Sequence, residues 1–211
     1  YELFKGNGVI TDQNAVDDYA AFLQVLTSYF SANTTIMAYD LDNEPHYKDG
    51  DHGYYSRPKN EVCRFTETLY NAIKPNADPN HLITIGLGDE GTLETWDPEV
   101  IKADFVSLHL YPYFTMTKYF GIHSAAIENS KDRLLAKIYW ASKFVQRPWV
   151  LQETGFTSVE ANFSENYWNW YGVSGNYTQL ENFISELLTA VKDCGVSGIA
   201  WWNFQDSFNS S

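Results

Sequence analysis

Two kinds of apolar segment alternate along this chain, and the alternation restricts its fold more than any other feature. Over residues 14–30, Val16, Tyr19, Phe22, Leu23, Leu26, Tyr29 and Phe30 recur at helical spacing, with Asp17 and Asp18 in the first turn, which predicts an amphipathic helix. The apolar run 35–41 predicts a strand that stops at Asn43-Glu44-Pro45, ahead of a polar loop. A second helix is expected over 60–74, with Val62, Phe65, Leu69, Ala72 and Ile73 on one face and Pro75 ending it, followed by a strand over 81–86. Asp97-Pro98 opens a short helix before the strand 105–111. Ser130 caps a helix carrying Leu134, Leu135, Ile138, Tyr139 and Phe144, which leads into the strand 149–153. Thr178 and Glu181 form a capping box for the last helix, striped by Leu180, Phe183, Ile184, Leu187, Leu188 and Val191 and stopped at Gly195, before a strand over 197–203. No hairpin signal joins successive strands. Parallel strands need long crossovers, which the helices supply, so the fold class is α/β with a parallel sheet.

With 211 residues, 44% of them hydrophobic, the chain can bury one sizeable core, and no linker divides it. A single domain over 1–211 is expected. The net charge of -13 has the wrong sign for a phosphate backbone or an anionic membrane surface, so neither nucleic acid nor membrane is an expected partner. No apolar run approaches the roughly 20 residues of a membrane span, which predicts a soluble domain. The chain opens at Tyr1 without an initiator Met or a signal-like stretch, so its true N-terminus is expected elsewhere. Cys63 and Cys194 are too few for a disulfide scaffold or a four-cysteine zinc site, and they are assigned to separate helices. No cofactor and no metal are expected. The 35 aromatic residues (7 Trp, 15 Tyr and 13 Phe) exceed what such a core needs, and aromatic faces beside acidic groups suit sugar rings.

In an α/β fold of this kind, reactive groups gather where strands end and loops begin. Glu44 follows one expected strand, His109 and Tyr111 end another, Glu153 ends the next, and Trp202 lies near the end of the last. Residues of equal parity share a strand face, so Ala38, Asp40, Asp42 and Glu44 form one set, His109 and Tyr111 another, Leu151 and Glu153 a third, and Gly198, Ala200 and Trp202 a fourth. Each set is expected to point inward. Two glutamates from strands far apart in sequence, brought to one barrel mouth, meet the needs of retaining glycoside hydrolysis, in which an acid protonates the leaving oxygen and a carboxylate attacks the anomeric carbon. Their environments must keep one protonated and the other ionised, and Tyr111 is available to donate to the nucleophile.

In this order, Asn43-Glu44-Pro45, His109-x-Tyr111, Gln152-Glu153-Thr154-Gly155 and Ala200-Trp201-Trp202-Asn203 resemble the later strands of the clan A glycoside hydrolases, closest to family 5. The ending Trp202-Asn203-Phe204-x-Asp206 is also similar to family 2. The resemblance implies a (β/α)8 barrel and β-linked oligo- or polysaccharide substrates. It assigns Glu44 as acid/base, Asn43 as a contact of the sugar 2-hydroxyl, His109 and Tyr111 as the strand-six pair, Glu153 as nucleophile and Trp202 as a platform under the sugar. Only residues 1–35 precede the strand leading to Glu44, where three βα units of a barrel of about 250 residues would occupy about 90. Strands four to eight are therefore expected in this chain, about five-eighths of a barrel, with both sheet edges covered by missing N-terminal strands or by a second chain.

Blander readings compete at each position. Glutamates are usually surface groups, His109 and Tyr111 would serve equally as packing residues, and only one of Trp201 and Trp202 can line the mouth. His46, Asp49, Asp51 and His52 lack a recognisable ligand spacing and are expected in a solvated loop. Residues 167–171 offer a sugar-stacking rim or ordinary core rings. Sequons at Asn33, Asn162, Asn176 and Asn209 fit secretion. The alternative from another class is a carbohydrate-binding or scaffold fragment that keeps the cleft without turnover.

Overall fold

The computed structural model describes residues 10–48, 57–88, 95–112, 123–155 and 177–202. Five parallel strands lie in the order β1-β2-β3-β4-β5: β1 Ala38–Asn43, β2 Leu82–Leu87, β3 Val106–His109, β4 Trp149–Thr154 and β5 Ile199–Trp201. Helices α1 Gln13–Tyr29, α2 Lys59–Ile73, α3 His123–Phe144 and α4 Tyr177–Asp193 precede β1, β2, β4 and β5 in turn, and among the described residues no helix separates β2 from β3. This is the architecture of a partial (β/α)8 barrel. The chain divides into two compact units, one holding residues up to His109 with Val145–Val150, the other Leu110–Phe144 with the residues from Leu151 onward.

In the first unit, Asp12 rather than a later residue caps α1, its carboxylate accepting the N–H groups of Asn14 and Ala15. Starting the helix at Gln13 leaves Asp17 and Asp18 beyond the first turn and narrows the buried stripe to Val16, Leu23 and Thr27. Phe22 and Tyr29, expected in the core, are 50% and 82% exposed. The stripe of α2 is as expected: Val62, Leu69 and Ile73 are fully buried and Phe65 meets Trp96 edge-on. Each such side chain contributes about 1.5–3 kcal/mol. Asp97 closes a hydrogen-bonded turn, its carbonyl accepting the N–H groups of Val100 and Ile101, where a short helix was expected. Asp104 ties α2 to β2 by accepting from Tyr70 Oη at 2.7 Å, Lys74 Nζ at 3.0 Å and the Ile83 N–H at 2.9 Å. Burial opposes its charge, but these donors hold its carboxyl below the usual range.

In the second unit, α3 begins at His123, so Ser130 lies inside the helix and does not cap it. Leu134, Ile138 and Ala141 are buried, whereas Tyr139 and Phe144 are each 60% exposed, the latter stacked obliquely on Trp140. Helix α4 already includes Tyr177, which puts Thr178 within the first turn instead of at the cap. Its buried face is Phe183, Leu187 and Val191, and Leu188 points to solvent. Gly195 at φ +65° ends it, with the Val196 N–H returning to the Val191 carbonyl. Cys63 and Cys194 are both free thiols, and no helix among the described residues is long and apolar enough to cross a membrane.

Candidate active site

In the first unit the site is built around an extra residue in β1. Asp40 stands opposite Thr84 and Asn43 opposite Gly86, so three steps on β1 match two on β2. This bulge breaks the strict alternation expected from Ala38 to Glu44 and re-aims the strand end. Asn43 closes β1 and is exposed. Glu44 follows at φ +48°, a left-handed backbone conformation that costs a non-glycine residue about 1–3 kcal/mol, held by its N–H donating to the Gly86 carbonyl at 2.9 Å. Its Oε1 is 3.0 Å from Nδ1 of His109, a residue fully buried at the end of β3. His109 reaches this position because Gly86 has no side chain: a Cβ there would stand 2.8 Å from His109 Nε2.

His46 was expected in a solvated loop, but it is 3% exposed in the 3-10 turn Pro45–Lys48. Its ring lies against Gly88, where a Cβ would come within 2.1 Å of Cε1. Burial pushes the imidazole down to about 4, against the opposing pull of Glu44 and with a further lowering by His109. A neutral ring therefore sits beside the Glu44–His109 pair across the ordinary working range of pH.

The second unit repeats the bulge. Leu151 stands opposite Ile199 and Thr154 opposite Trp201, again three steps against two, so the strand carrying Glu153 also gains one residue and loses its simple parity. Tyr111 Oη donates to Glu153 Oε2 at 2.8 Å, and the Glu153 carbonyl accepts the Leu110 N–H at 2.9 Å. The two neighbouring Trp residues differ in surroundings. Trp201 is half-buried with its ring edge-on to Phe183 of α4, while Trp202 is 59% exposed and donates its N–H to the Thr154 carbonyl at 2.8 Å. The Trp202 carbonyl occupies the space of a side chain at Gly155, 2.2 Å from where a Cβ would be.

Each candidate glutamate thus follows or occupies an irregular strand end and meets one of the two groups expected near it. Sequence reasoning missed the burial of His46 and the role of the glycines. The signal was present in Gly86-Leu87-Gly88, whose two glycines share one face at the end of a strand, the pattern of a close approach by neighbouring groups. Asp49, Asp51, His52, the aromatic segment 167–171, Asn203 and the sequons at Asn162, Asn176 and Asn209 lie outside the described residues.

A parallel sheet with carboxylates at its strand ends is compatible with the class of glycoside hydrolases to which these motifs point. Residues 2–207 match the family model of cellulase (glycosyl hydrolase family 5), and the chain belongs to that family. It is similar to mannan endo-1,4-beta-mannosidase A of Hypocrea jecorina, 25% identical over 202 residues that cover 83% of this chain and 44% of that protein. The enzyme of the same name from Aspergillus aculeatus is 26% identical over 190 residues, covering 75% of this chain and 43% of its own length. The chain spans less than half the length of these relatives. Among solved structures, β-glucuronidase from Ruminococcus gnavus in complex with uronic isofagomine superposes with a TM-score of 0.66 at 14% identity, over 93% of this chain and 30% of that one. Bifidobacterium dentium β-glucuronidase complexed with coumarin-3-O-glucuronide gives 0.65 at 12% identity, over 92% and 28%. At such identities the likeness concerns the fold alone.

Proposed function

We propose that this chain carries the catalytic glutamates of a secreted, retaining glycoside hydrolase that cleaves β-linked polysaccharide of the mannan or glucan type. Glu153 is the nucleophile and Glu44 the acid/base. The observation that carries the reading is the 2.8 Å hydrogen bond from Tyr111 Oη to Glu153 Oε2, a phenol donor on the carboxylate that must attack as an anion. In the first step Glu153 attacks the anomeric carbon while the Glu44 proton passes to the departing glycosidic oxygen, leaving a glycosyl ester on Glu153. In the second step Glu44, now a carboxylate, takes a proton from water as that water attacks the same carbon, and the ester bond breaks. Asn43 contacts the sugar 2-hydroxyl, and the exposed face of Trp202 stacks beneath the ring.

Mannan is the preferred substrate on the strength of the two mannosidase relatives. The test is release of reducing ends from β-1,4-mannan and from β-1,4-glucan by the full-length protein. Faster turnover of mannan is expected. Faster turnover of glucan would overturn the substrate assignment, and binding of either polymer without turnover would favour the carbohydrate-binding or scaffold reading.

A further inference from the structure

The space over Gly86 receives two side chains. The point where a Cβ would stand on this residue of β2 is 2.8 Å from His109 Nε2, reaching in from β3, and 3.1 Å from Asp40 Oδ2, reaching in from β1. Asp40 is held in place by its other oxygen, Oδ1, which accepts the Gly86 N–H at 3.0 Å and the Asp42 N–H at 3.3 Å. Asp40 is open to solvent. On the far side of the imidazole, Nδ1 lies 3.0 Å from Glu44 Oε1. An aspartate, a buried histidine and a glutamate thus follow one another across a glycine.

We propose that Asp40 is a positioning residue: across Gly86 it accepts the Nε2–H of His109 and thereby keeps Nδ1 aimed at Glu44 Oε1. The inference rests on the reading of Glu44 as acid/base. An imidazole tethered at one nitrogen cannot turn over or swing away, and the partner nitrogen then fixes the group it meets. His46 packs close by as an uncharged ring.

The test compares aryl glycosides of good and poor leaving groups in the full-length enzyme. A dinitrophenyl glycoside departs without a proton, whereas an alkyl or sugar leaving group needs one. Asp40→Asn is expected to lower kcat/KM, which reports the first step alone, by about 10-fold to 100-fold for the poor-leaving-group substrate, the scale of a misplaced catalytic group, while leaving kcat/KM for the dinitrophenyl glycoside within about twofold. Glu44→Gln is the reference and should show the same selective loss more steeply. Selective loss in Glu44→Gln with an equal loss on both substrates, or none, in Asp40→Asn overturns the role of Asp40. Absence of selectivity in Glu44→Gln overturns the reading of Glu44 itself. In that case, or if Asp40→Asn does not fold, the ring nitrogens of 15N-histidine-labelled wild type decide. A protonated Nε2 on His109 supports the link, and an unprotonated Nε2 sinks it.

Discussion

Glu153→Ala in the full-length protein is expected to lower turnover of a β-glycoside by about 10⁴-fold or more, because it removes the atom to which the sugar becomes bonded and nothing else on the path can replace it. The fold should survive the change. Glu153 is only partly buried, and its backbone carbonyl, which accepts the Leu110 N–H, is retained by alanine. Azide should restore turnover by attacking from the side the carboxylate occupied, giving a glycosyl azide of inverted configuration. A variant that retains a tenth of wild-type activity, or a rescued product of unchanged configuration, would remove Glu153 from the nucleophile's role.

The second large effect is on stability. His46 is held neutral in the folded chain with its imidazole near 4, below the ordinary value of 6.5 to which it returns on unfolding. Between these values the unfolded state binds the extra proton, so stability rises with pH through this window and is lost as pH falls from about 6.5 toward 4. Some 2.5 pH units at about 1.4 kcal/mol each give a loss on the order of 3 kcal/mol. Chemical unfolding of wild type and His46→Gln at pH 4, 5, 6 and 7 measures it: the wild type should lose that amount relative to the variant over the window. Parallel pH profiles for the two proteins would contradict the burial of a neutral ring at this position. The carboxyl groups of Asp97 and Asp104, both held low, add to acid sensitivity only below the window.

The strand and helix order was legible because period alone distinguishes an amphipathic helix from a buried strand, and each of the five strands falls within a few residues of its expected place. The ends were less so. Ser130 and Thr178 have the right chemistry for caps, but the helices begin earlier, as cap-competent residues also occur inside first turns and helix interiors. Phe22, Tyr29, Tyr139 and Phe144 follow helical spacing yet face solvent, since periodicity identifies a stripe without fixing its width.

At the site, Glu44, His109, Tyr111 and Glu153 were legible as motifs, and the structure joins Glu44 to His109 and Tyr111 to Glu153. The bulges were not. An extra residue in β1 and another in β4 alter which face a side chain takes, and no local composition announces either one. His46 escaped because its burial depends on Gly88, forty-two residues away in the chain, an approach that becomes visible only when the strands are paired.

The central claim is a double displacement through two glutamates, and the configuration of the product as it is first released tests it most directly. Proton NMR of a β-mannoside or β-glucoside digest by the full-length protein, followed from the first minutes, distinguishes the two anomers before mutarotation mixes them. The β-anomer should appear first, with the α-anomer growing in only as mutarotation proceeds. Initial appearance of the α-anomer would show a single inverting displacement and would contradict the roles given to Glu153 and Glu44.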